Sequence, residues 1–83
     1  MKKELSHVIE AKRAIEDFMS KVDRLTSRGE LNSDGVKALT RIIKLLNRSG
    51  MRSDASKLSR RLKDHSNLEM ILSTLSQIEE KLG

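Results

Sequence analysis

Residues 5–29, LSHVIEAKRAIEDFMSKVDRLTSRG, govern how the rest of the chain is read. Val8, Ile15 and Val22 share one heptad position and Ala11, Phe18 and Leu25 the other, giving a three-heptad seam that Leu5 and Met19 widen. The spacing predicts one amphipathic helix over about residues 3–28, stopped by Gly29 as a left-handed cap. Such a seam suits a helix packed inside its own domain and a helix paired with a second subunit equally well.

Working outward, Asn32, Ser33, Asp34 and Gly35 form a turn-and-cap cluster, because short polar side chains satisfy the first free amides of a helix. A second helix over about 34–48 follows, with Val36, Leu39, Ile42, Ile43, Leu45 and Leu46 at helical spacing. Gly50 is placed for a Schellman stop, with Met51 folding back against Leu46. Ser53 and Asp54 are candidate caps for a third helix over about 53–64, whose narrow stripe is Ala55, Leu58 and Leu62, continued by His65. Ser66 and Glu69 then read as a capping box for a last helix over about 67–82, since the apolar phase shifts to Leu68, Ile71, Leu72, Leu75, Ile78 and Leu82. One bent helix from Ser53 to Leu82 is the alternative, as neither Gly nor Pro forces a break.

No segment alternates with a period of two, so the fold class expected is all-α: a single domain, residues 1–83, built as a compact bundle of about four helices, alone or completed by dimerisation. A chain of 83 residues buries a modest share of its surface, which favours a core shared with another chain, hence a homo-oligomer or an obligate partner. Composition narrows the function. With 36% apolar and 35% charged residues, one Phe, and no Trp, Tyr, Cys or Pro, the chain has no disulfide framework, no thiolate metal site and no aromatic platform for stacking single-stranded bases. The apolar residues after Met1, Lys2, Lys3 and Glu4 are interrupted by His7, Glu10, Lys12 and Arg13, so no signal-peptide core is expected. No run reaches the roughly 20 apolar residues of a membrane span. The expected location is the cytoplasm, with no membrane partner.

Sites for catalysis have no signature. His7 and His65 lack a second histidine at helical metal-binding spacing, and paired acids such as Glu16 and Asp17 or Glu79 and Glu80 diverge by about 100° on a helix. The four glycines never cluster into a phosphate-cradling loop, and several of the eleven serines stand where capping explains them. No enzymatic activity, cofactor or metal is expected.

Charge is the informative feature. Residues 31–65 carry nine basic and three acidic side chains, a net of +6, against +1 for residues 1–30 and −2 for residues 66–83, which together make the overall +5. Concentration of positive charge on one helix pair is the footprint of a nucleic-acid binder, and the expected contacts with duplex DNA or structured RNA are Lys44, Arg48, Arg52, Lys57, Arg60, Arg61 and Lys63. The same segment outlines a helix-turn-helix, with Ser53 and Ser56 also available to the groove. The outline is loose: Ser56 stands where such motifs bury an aliphatic residue, and Leu46 replaces a small one. The alternative function is a protein-binding adaptor, chaperone or regulator that docks a partner helix, or a second copy, through Val8, Ile15, Phe18, Val22, Leu25, Leu68, Leu75, Ile78 and Leu82.

Overall fold

The heptad seam does form a helix, but a shorter one than its pattern implies. The computed structural model describes residues 2–64 and 67–82, with residues 2–5 described by backbone alone. Helix α1 spans Lys2–Ser20. At its end the Ser20 hydroxyl donates to the Asp17 carbonyl at 2.9 Å, and Lys21 leaves helical geometry at φ −114°, ψ 19°. A single further turn, α2 (Val22–Leu25), carries the seam to Leu25, after which Thr26 is extended. The expected continuous helix to residue 28 is therefore corrected. Gly29 has the anticipated positive φ, +80°, yet it stops no helix: with Arg28 at φ +55° it forms the two-residue turn of a small hairpin that joins β1 (Thr26–Ser27) to β2 (Glu30–Leu31). Two adjacent left-handed residues are what a tight antiparallel turn requires.

Asn32 fastens this hairpin to the next helix. Its side-chain oxygen accepts the Gly35 amide at 2.9 Å and its side-chain nitrogen donates to the Arg24 carbonyl at 2.8 Å, so one residue caps α3 (Ser33–Arg48) and ties it to α2. The α3 stop follows the sequence pattern closely. Gly50 lies at φ +81°, the Met51 amide donates to the Leu46 carbonyl at 2.9 Å and the Gly50 amide to Asn47 at 3.2 Å, the two bonds of a Schellman motif, while Met51 packs onto the core.

This cap delivers the chain directly into α4 (Arg52–Lys63), so that Ser53 and Asp54 lie inside its first turn rather than capping it. The break before α5 (Leu68–Leu82) is present, which settles the two-helix alternative. Asn67 caps α5 by accepting the Met70 amide at 2.9 Å; Ser66 of the expected capping box, and His65, lie outside the described residues.

The four longer helices bury one core. Ala11, Ile15 and Phe18 come from α1, Leu39, Ile42, Leu45 and Leu46 from α3, Ala55 and Leu58 from α4, and Ile71, Leu75 and Ile78 from α5. Helix α1 packs on α3 and α5, and α4 packs on the same two. The terminal seams thus face the inside of one chain. The radius of gyration, 12.0 Å, matches the roughly 12 Å expected for a compact chain of this length. Among the described residues, no helix is long and apolar enough to cross a membrane.

Candidate nucleic-acid interface

Helix α3 places its charges by periodicity alone. Lys37, Arg41, Lys44 and Arg48 recur at i, i+4, i+7 and i+11, which confines them to a strip about 60° wide and roughly 16 Å long. All four are exposed, opposite the buried Leu39, Ile42 and Leu46. Helix α4 continues the positive surface: Arg52, Lys57, Arg60 and Lys63 are exposed and Arg61 is half-buried.

Two of the three acidic side chains of this region cancel little of that charge, while the third, Asp64, is exposed next to Lys63. Asp34 sits in the first turn of α3, where a carboxylate is favoured by the positive end of the helix dipole. Asp54 turns inward, and its carboxylate, 12% exposed, accepts the Lys81 ammonium of α5 at 2.9 Å. Among the described residues the other ion pair is Lys21 with Asp17, so none of the nine Lys and Arg residues between Lys37 and Lys63 is paired.

Two grooves run beside α4. One lies against α3, encloses about 430 Å³ and is lined by Arg52, Arg60 and Lys63, with Ile43 and Asn47 across from them and Asp64 at one end. The other, of about 240 Å³, lies against α5 and is lined by Lys57 and Arg61, with Glu69, Met70 and Gln77 opposite. The seven basic residues expected to act together are thus divided: three on the α3 side of α4, two on the α5 side, and Lys44 and Arg48 on the outer strip of α3. Lys37 and Arg41 extend that strip and were missing from the expected contacts, although their spacing with Lys44 and Arg48 is legible in the sequence. Ser56 is exposed and lines the α3 groove, so the position where a helix-turn-helix buries an aliphatic residue is not used that way here.

Helix dipoles explain part of the pattern. Arg48 closes α3, and Arg60, Arg61 and Lys63 close α4, where cations complement exposed carbonyls. Lys37, Arg41, Lys44 and Lys57 have no such explanation, and Arg52 opens α4 at the end where a cation is disfavoured.

The residues expected to dock a partner are placed differently. Ile15, Phe18, Leu75 and Ile78 are fully buried in the chain's own core, and Val22, Leu25 and Leu82 pack against it half-exposed. Val8 is half-exposed, and Leu68 lines a cavity with Leu31, Val36 and Leu62. A partner could reach the four buried residues only by opening the fold. Those four residues belong to a core drawn from the four longer helices of one chain. His7 is half-buried, and its Nδ1 finds no hydrogen-bond partner among the described residues.

Comparison with protein-family models, curated proteins and solved structures finds no significant match.

Proposed function

We propose that this chain is a small basic regulatory protein of the cytoplasm that binds duplex nucleic acid through the phosphate-facing surface of α3 and α4. The observation that carries this reading is the exposed, unpaired state of Lys37, Arg41, Lys44, Arg48, Arg52, Lys57, Arg60 and Lys63, combined with the inward turn of Asp54. Lys and Arg side chains held in no ion pair are open to phosphates, and their contacts release the counterions condensed on the duplex, so release of salt drives association. The rival adaptor reading loses weight because four of its central contact residues are internal.

The test is a salt titration of binding to short duplex DNA and duplex RNA. Neutralisation of about five phosphates gives a slope of log affinity against log salt near −4 to −5. The double substitution Lys44→Ala with Arg48→Ala touches neither the core nor an ion pair, so it should leave helical content intact and make that slope shallower by about 2. A protein that binds neither duplex at low ionic strength would refute the proposal.

A further inference from the structure

The arrangement around α4 goes beyond a generally positive surface. Between Arg52 and Lys63 the exposed side chains are Arg52, Ser53, Ser56, Lys57, Arg60 and Lys63, a mixture of hydroxyls and cations only. The acid within the helix, Asp54, is turned inward to Lys81. On the helical wheel Arg52 and Lys63 fall on one flank and Lys57 and Arg61 on the other, about 120–180° apart, with Ser56, Arg60 and Ser53 along the crest between them, Ser56 and Arg60 also lining the α3 groove. Each flank opens on its own groove, toward α3 and toward α5.

Resting on the proposed function, we infer that α4 is the element that enters the major groove of B-form DNA, its two flanks meeting the two phosphate strands and its crest facing the base edges. The dimensions agree. An α-helix with its side chains is about 10–12 Å across, and the major groove of B-DNA is about 12 Å wide, whereas that of A-form RNA is too deep and narrow for side chains to read. At 12 residues, α4 is about 18 Å long and covers roughly five base pairs. Serines at 53 and 56 keep the crest low enough for close approach. Arg60 is the long donor there, and its guanidinium suits the paired acceptors on the major-groove edge of guanine.

The two flanks are unequal. The α3-side groove is lined by Arg52, Arg60 and Lys63, with Asp64 at its end, while Glu69 faces Lys57 and Arg61 on the α5 side. The strand on the α3 side is held by more positive charge.

The chain contains no cysteine, so Ser56→Cys and Ser76→Cys each create a unique attachment point for a photo-crosslinker, the second on the exposed face of α5. On irradiation with short duplex DNA, the Ser56→Cys protein should crosslink to bases several-fold more than the Ser76→Cys protein. Affinity for the DNA duplex should exceed that for an RNA duplex of the same sequence by about tenfold, and Lys57→Ala should make the DNA salt slope shallower by about 1. Equal crosslinking at the two positions, or equal affinity for the two duplexes, would overturn groove entry while leaving phosphate binding in place. Absence of salt-dependent binding to either duplex would remove both readings.

Discussion

Replacing Gly35 with Ala tests the junction on which α3 is seated. In an exposed helix interior the change from Gly to Ala gains about 1 kcal/mol, and Gly35 lies in the first turn of α3 with no positive φ, so helix propensity alone forecasts a more stable protein. The packing forecasts the reverse. A Cβ at this position would overlap the backbone carbonyl oxygen of Leu25 and approach Leu31 Cδ2 to 2.9 Å. The Leu31 side chain can rotate away, but the Leu25 carbonyl is fixed, because it accepts the Asn32 amide at 3.0 Å and Asn32 in turn caps α3. Overpacking of this kind costs about 1–3 kcal/mol, and an obstacle made of backbone places the cost at the upper end. After the gain in propensity is subtracted, Gly35→Ala should destabilise the fold by about 1–2 kcal/mol, which in a chain of this size lowers the melting temperature by roughly 5–15 °C. Thermal melting followed by far-ultraviolet circular dichroism measures this directly, with Asn47→Ala, an exposed change in the same helix, as the comparison. A Gly35→Ala protein that melts at the same temperature or higher would refute the close approach of α3 to α2.

The Asp54–Lys81 pair should behave asymmetrically in a double-mutant cycle read by urea denaturation. Lys81→Ala strands a carboxylate that is only 12% exposed and should cost about 1–3 kcal/mol, Asp54→Ala frees an ammonium that is 60% exposed and should cost less, and equal losses would show that the pair is solvated. Gly50→Ala should cost about 1–2 kcal/mol, because a Cβ is strained at φ +81° although nothing lies within 4 Å of it; an unchanged melting temperature would contradict the Schellman geometry.

Much of the fold was legible because its punctuation is local. The Gly50 stop, the Asn32 cap and the phase shift that separates α4 from α5 each depend on a few neighbouring residues whose chemistry allows one solution. The end of α1 was not, since the heptad seam runs on through Val22 and Leu25 and both remain packed on the core after the helix has broken. Periodicity records which side chains are inside, and one irregular turn at Lys21 preserves that record. The hairpin is not legible for a related reason: its turn is Arg28–Gly29, and arginine carries no signal for a positive φ. At the candidate site the sequence supplied the charge but not its partition. Whether Asp54 would offset the cations or leave their surface depended on Lys81, 27 residues away, and the division of the basic residues between two grooves follows from packing α4 between α3 and α5.

Arg52 separates structural placement of charge from functional placement. It is the first residue of α4, it is exposed, and the preceding Met51 offers no side-chain cap, so its cation stands beside unsatisfied amides at the positive end of the helix. Chosen for stability alone, the position would carry an acid, and Arg52→Glu should strengthen the fold by about 0.3–1 kcal/mol through the helix dipole. The same change places a carboxylate in the groove shared with Arg60 and Lys63 and reverses the charge offered to a phosphate there. Local features that disagree with the rest of a fold concentrate where function is served, which is why this residue is the sharpest probe of the surface. The expected result is a protein that melts slightly higher and binds duplex DNA several-fold more weakly, with a salt slope shallower by about 1 or more. Unchanged affinity with raised stability would show that the α3 side of α4 does not meet the polyanion; lowered stability would show that Arg52 is held in place by a contact within the fold.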